Sequence, residues 1–78
     1  MILTPVQRDT LAWLELHPEE RLTSTDDLRK RLGSRGVRFD TLTVLERRGW
    51  IIWEGAGYRL TEAGRQALAK GTTREKQA

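Results

Sequence analysis

Seven basic side chains fall between Leu28 and Arg48: Arg29, Lys30, Arg31, Arg35, Arg38, Arg47 and Arg48. Only Asp40 and Glu46 oppose them there. Guanidinium and ammonium groups at this density neutralise phosphate oxygens well, and arginine adds a two-pronged hydrogen bond that fits a phosphate or a guanine edge. Residues 1–27 have the opposite balance, six acidic against two basic, and residues 49–78 carry five basic against three acidic. The formal net charge of the 78-residue chain is only +3, with an isoelectric point near 10.0, so the polarity along the chain says more than its total. A polyanion would meet the middle third of the sequence first. Any solvated face can also carry such a cluster, so charge alone leaves both readings open.

Other chemistries lack their residues. The chain has no cysteine, which excludes disulfides and thiolate metal sites. Its single histidine, His17, has no second imidazole to share a metal and stands just before Pro18, where the role to expect is a helix C-terminal cap. There is no glycine-rich phosphate loop, and the carboxylates lie in helix first turns or surface runs. An enzyme, a bound metal and a cofactor are therefore not expected. A core this small has no room for an apolar small-molecule ligand. No stretch of the sequence approaches the length of an apolar membrane span, and the N-terminus does not read as a leader, so a soluble cytoplasmic protein with no membrane contact is expected.

The elements that must position the basic residues are legible. Thr4-Pro5-Val6-Gln7 combines a cap, a proline at the first helical position and a capping-box glutamine. The helix should run to about Leu16, with Leu11 and Leu14 in the core and Arg8, Asp9 and Glu15 outside. Arg21-Leu22-Thr23 suggests a short extra strand. Ser24 should cap a second helix over about 25–32, with Asp26 and Asp27 suiting its positive end and Leu28 and Leu32 facing inward. Gly33-Ser34-Arg35-Gly36 is a turn. A third helix is expected over about 37–48, with Val37, Thr41, Leu42 and Leu45 on its apolar face and Gly49 as its left-handed stop. For Phe39, helix phase gives the exposed side and residue type gives the core at the start of this helix; the core is the favoured of the two.

Two helices joined by a short glycine-containing turn form a helix-turn-helix, in which the second helix enters the major groove. The exposed side of that helix would present Arg38, Phe39, Asp40, Thr43, Glu46 and Arg47. Arg38 is the best candidate for reading a base, through the two acceptors of guanine. Thr43 suits a phosphate or a thymine methyl group. Asp40 repels phosphate, so it pairs with a neighbouring arginine or accepts from cytosine. Arg29 and Lys30 on the bracing helix, Ser34 and Arg35 in the turn, and Arg47 further along complete the expected contact surface.

Trp50-Ile51-Ile52-Trp53 and Tyr58-Arg59-Leu60 read as two strands around a Gly55-Ala56-Gly57 turn. Strict alternation would set Trp50 with Ile52 on one face and Ile51 with Trp53 on the other, and at least one of the two tryptophans should be partly exposed. A last short helix should follow a cap at Thr61, with Ala63, Ala67 and Leu68 on its apolar side. Residues 71–78 form a polar segment expected to be disordered, leaving residues 1–70 as one domain.

The segment Leu42, Leu45, Glu46, Gly49, Trp50, Ile51, then Gly57, Tyr58, Leu60, Thr61, Gly64, Arg65 and Leu68 resembles the winged helix-turn-helix superfamily, in the style of MarR-type and PadR-type bacterial transcription regulators. Leu3-Thr4-Pro5 with Gln7, Leu11 and Leu14 fits as well, so the resemblance covers residues 3 to about 69. It implies an α+β fold, mostly α, with a three-helix core, a small antiparallel hairpin as wing, and a short C-terminal helix. It also implies binding to double-stranded DNA, with Arg35, Arg38, Thr43 and Arg47 in the recognition region and Arg59 in the wing. Two departures stand out. The wing is very short and its tip has no basic residue, which argues against insertion into a minor groove. The long flanking helices through which MarR-type proteins dimerise are missing. This minimal form, similar to phage and plasmid regulators, would act as a monomer, as a homodimer through its first or last helix, or beside a larger protein partner.

The expectation is thus a DNA-binding transcription regulator, such as a repressor. The competing readings are a winged helix used for protein contacts around Trp53, Phe39 or Val44, and a single-strand binder, which needs at least two aromatic rings exposed on the basic face.

Overall fold

Residues 3–71 are described by the computed structural model. Four helices and one antiparallel hairpin follow in the order α1 (Pro5–Leu16), α2 (Thr25–Leu32), α3 (Thr41–Arg47), β1 (Ile51–Glu54), β2 (Gly57–Leu60) and α4 (Glu62–Gly71), giving a mostly helical α+β fold. Of the polar segment expected from position 71, Gly71 ends α4 and the remainder lies outside the described residues.

Local signals set the helix starts. The Gln7 N–H donates to Thr4 Oγ1 (3.2 Å), and Gln7 Oε1 accepts from the Thr4 N–H (3.0 Å), which completes a capping box. The α1 helix buries Leu11 and Leu14 and stops at His17, whose N–H and Nδ1 both approach the Trp13 carbonyl (3.0 and 2.8 Å). Ser24 caps α2 by accepting from the Asp27 N–H (3.1 Å), and Asp27 accepts in return from the Thr23 N–H (3.0 Å). Leu28 is fully buried beneath α2.

The third helix begins four residues later than expected, at Thr41. Val37–Asp40 instead close two tight turns, in which the Val37 N–H meets Ser34 O (3.2 Å) and the Thr41 N–H meets Arg38 O (3.1 Å). Thr41 Oγ1 takes the Arg38 N–H (2.9 Å), a bond that satisfies the chain just ahead of the helix. Val37 and Thr41 are both buried, so the apolar spacing is met by a turn rather than by helix. The phase error moves Phe39 from the expected core to 81% exposure.

The α3 helix ends in a Schellman arrangement: Gly49 has φ +80°, its N–H reaches Glu46 O (2.9 Å), and the Trp50 N–H reaches Leu45 O (3.1 Å). Trp50 precedes β1 and is freed from strand alternation. It is buried together with Ile51, while Ile52 and Trp53 are exposed, so the expected pairing of Trp50 with Ile52 on one face does not hold. Ile51 pairs with Leu60 and Trp53 with Tyr58 across the hairpin. Gly55 (φ +68°) opens a two-residue loop. The extra strand at Arg21-Leu22-Thr23 reduces to one antiparallel bridge between Leu22 and Tyr58, with bonds of 3.3 and 2.8 Å on the free edge of β2.

Thr61 joins the hairpin to α4. Its hydroxyl donates to Gly49 O (2.6 Å) and accepts from the Gly64 N–H (3.0 Å), while its N–H donates to Trp50 O (3.0 Å). Ala67 and Leu68 turn inward, but Ala63, also expected on that side, is exposed. Gly64 lies so close to the Trp50 carbonyl that a Cβ there would overlap its oxygen and carbon. Glycine in a helix ordinarily costs about 1 kcal/mol relative to alanine; here the contact with backbone, which cannot swing aside, reverses the sign. Gly64→Ala is expected to destabilise the protein by about 2 kcal/mol, read by urea denaturation. An unchanged or raised midpoint would show that the α3–α4 junction relaxes freely.

Candidate nucleic-acid interface

The basic segment folds into α2, the connection 33–40 and α3. Its charges are not equally available. Arg29 meets Asp26 Oδ1 at 3.2 Å. Arg31 is held from two sides, by Glu20 Oε1 (2.9 Å) and Asp27 Oδ1 (3.1 Å), and its guanidinium lies 4.9 Å from the centre of the Trp13 ring. Trp13 in turn stacks on His17 at 4.4 Å. Arg31 therefore ties α2 to α1 and to the connection between them. Acidic residues of the first third of the chain neutralise basic residues of the second, so the charge polarity of the sequence is partly cancelled in space.

What remains is more narrowly placed. Lys30, Arg35 and Arg47 are exposed, and among the described residues none of them pairs with a carboxylate. Arg38, with its side chain 76% exposed, has a loose contact to Asp40 (3.7 Å). Such a pair contributes about 1 kcal/mol at most and exchanges readily for another anion. Asp40 thus takes the arginine-pairing alternative. Thr43 is exposed on α3, and Ser34 is exposed in the turn, where its carbonyl accepts from Val37. Arg48, absent from the expected contact set, is also exposed and lies 5.3 Å from the centre of the Trp50 ring. Like Arg47, it has no carboxylate partner among the described residues.

Arg59 does not join this surface as a free cation. Its Nε and Nη2 grip the two Glu54 oxygens at 2.6 and 3.2 Å across the hairpin, and Nη1 reaches Leu60 O (3.3 Å). The hydrogen bond to Arg59, its charge, and the more distant charge of Arg21 hold the Glu54 carboxyl below the usual range, while Glu54 pushes Arg59 up. A phosphate could recruit Arg59 only by displacing Glu54. Glu46 is also engaged: it accepts from the Tyr58 hydroxyl (3.1 Å), which links α3 to the hairpin. Burial first, and then this contact with Glu46, raises the Tyr58 pKa.

Among the described residues, no group of three or more His, Asp or Glu side chains could hold a metal ion, and no helix is long and apolar enough to cross a membrane. A hollow of about 180 Å³ between α1 and α3, lined by Val6, Arg38, Asp40, Thr41 and Val44 among others, is below the usual size of a small-molecule site. Comparison of the chain with protein-family models, with curated proteins and with solved structures finds no match.

The α2 brace has a measurable pH signature. Burial would raise the Asp27 carboxyl, but the Thr23 N–H bond and the Arg31 guanidinium outweigh it, and the net shift is downward. A lowered folded-state value means that this contribution is complete above the ordinary carboxylate range near 4 and is lost as pH falls through the folded value. Asp27→Ala should cost about 1 kcal/mol at neutral pH, a difference that closes on acidification toward pH 2. Urea denaturation of both proteins across that range reads it; a constant difference at all pH values would show that the charge of Asp27 plays no part.

Proposed function

We propose that the chain is a winged helix-turn-helix protein that binds double-stranded DNA as a transcription regulator in the cytoplasm, with repression the simplest mode. Element order supports this reading: α1, the Leu22 bridge, α2, α3 and a hairpin follow one another as the wing and reading helix of such a module require. The observation that carries it is the group of exposed cations on α2, the connection and α3, namely Lys30, Arg35 and Arg47, which lack acidic partners among the described residues, with loosely held Arg38 between them.

In this proposal Arg38 reads a base edge, while Lys30, Arg35 and Arg47 meet phosphates on either side. Thr43 faces the groove from α3. Arg29 and Arg59, locked to Asp26 and Glu54, contribute orientation within the protein rather than charge to the ligand. The short hairpin lies along the backbone and does not enter a minor groove. A homodimer or a larger protein partner would supply the second half-site that a module this small lacks.

An amide-shift titration of labelled protein with random-sequence duplex DNA, at low salt and again at higher salt, tests the reading. Shifts are expected at 30–48, weakening with salt. Replacing Lys30, Arg35 or Arg47 by alanine should lower affinity for every sequence and reduce the slope of log affinity against log salt by about 0.9 per contact. Arg59→Ala should leave both nearly unchanged, and Arg38→Ala should relax sequence preference. The protein-contact reading is favoured by exposed Ile52 and Trp53 on β1. Shifts confined to the hairpin, with no salt dependence, would replace the DNA assignment by that one.

A further inference from the structure

Phe39 is more exposed than any other large apolar side chain among the described residues, yet it sits on a firmly held turn. Its carbonyl accepts from Thr25 Oγ1 (3.3 Å), which ties it to the start of α2. On its two sides, the Arg38 N–H is bonded to Thr41 Oγ1 (2.9 Å) and the Thr41 N–H to Arg38 O (3.1 Å). The ring is thus carried on a backbone fixed to both helices, two residues ahead of α3. Ordering costs are already met by the fold, so a contact made by the ring loses little further backbone freedom.

Its surroundings narrow the partner. The nearest apolar residues along the chain, Val37 and Leu42, are both buried, so Phe39 does not continue an apolar stripe. Arg38 adjoins it on one side and Asp40, in loose contact with Arg38 (3.7 Å), on the other, while exposed Arg35 lies four residues before it. A protein surface that docks on apolar area needs a contiguous patch rather than one ring among charges. A single apolar ring beside two exposed arginines, one of them only loosely paired, matches a ligand with a small apolar group set among anions. In the major groove that group is the C5-methyl of a pyrimidine, flanked by phosphates.

We propose that Phe39 is a specificity residue that reads a pyrimidine C5-methyl group in the major groove of duplex DNA; this rests on the duplex-binding reading above. Thymine supplies the methyl in ordinary DNA, and 5-methylcytosine supplies the same group in modified DNA. The ring packs on the methyl edge while Arg38 bonds a neighbouring base. The base contact at this point is therefore apolar, and its contribution responds weakly to salt, unlike those of Lys30, Arg35 and Arg47.

The test starts from a duplex selected by the wild-type protein from a random pool at low salt, with affinity read by fluorescence anisotropy. Replacing each dT in turn by dU removes one methyl group and leaves the hydrogen-bonding edge intact. At one or two positions the replacement should weaken wild-type binding about fourfold. Phe39→Ala should bind the parent duplex about tenfold more weakly and lose its response to dU at those positions, with an unchanged melting temperature because the ring is exposed. Phe39→Leu, which keeps an apolar body, should retain the discrimination. Placing dC or 5-methyl-dC at the same position separates the sources: a gain with 5-methyl-dC shows that the methyl is read on either base, and no gain assigns the contact to thymine alone. If the wild-type protein selects a duplex but Phe39→Ala binds it equally well, or binds less tightly while keeping the dU response, the methyl assignment is overturned and duplex binding stands. If no duplex is selected, both readings fall together, and single-strand binding lost in Phe39→Ala would assign the ring to base stacking.

Discussion

The backbone corner at Gly49 and Trp50 is the constraint on which the remaining geometry depends. Within three residues, Arg48 to Trp50, the chain leaves α3, turns by a positive φ at Gly49, and enters the hairpin. The corner is held from both directions: the Trp50 N–H reaches back to Leu45, and the Gly49 and Trp50 carbonyls accept from the Thr61 hydroxyl and N–H. Gly64 then admits the Trp50 carbonyl against α4. Backbone bonds around the buried Trp50, together with the Thr61 side-chain hydroxyl on Gly49, join α3, the hairpin and α4 at this one corner. Tyr58 adds a second tie from hairpin to α3 through Glu46, and Leu22 seals the far edge of β2. The α3 surface is presented from this frame.

Electrostatics then sorts the arginines into two kinds. Arg29, Arg31 and Arg59 have carboxylate partners within about one hydrogen-bond length and act as internal braces. They are exposed enough that each pair adds little to stability by itself. Each of these carboxylates partly offsets the positive charge beside it. Lys30, Arg35 and Arg47 keep theirs, and Arg38 gives up its Asp40 contact at little cost. The number of basic residues in the sequence therefore overstates how many of them stand without a close carboxylate partner.

Much of the fold was legible because its signals are local. The capping box at Thr4, the Ser24 cap, the glycine stop at Gly49 and the Gly55-Ala56 loop are each decided by a few adjacent residues and the backbone conformations they allow. Leu11, Leu14, Leu28, Leu42 and Leu45 follow from periodicity alone. Where periodicity misled, two structures satisfied one pattern. Val37, Thr41 and Leu45 are all buried whether residues 37–40 are helical or turned, and only the bonds from Ser34 and Arg38 select the turn.

Types and spacing by themselves determined a small, mostly helical α+β arrangement, the bounds of α1 and α2, and a basic middle segment without the residues for thiolate or multi-histidine chemistry. Tertiary structure alone decided which charges face outward and which apolar side chains do. Ion pairing joins residues far apart in the chain, such as Glu20 with Arg31, and a register of side chains cannot express that distance. Exposure of Phe39 and burial of Trp50 depend in the same way on where two turns point their side chains, and that direction is set by hydrogen bonds to Thr25 and Thr61, contributed by segments 14 and 11 residues away in the chain.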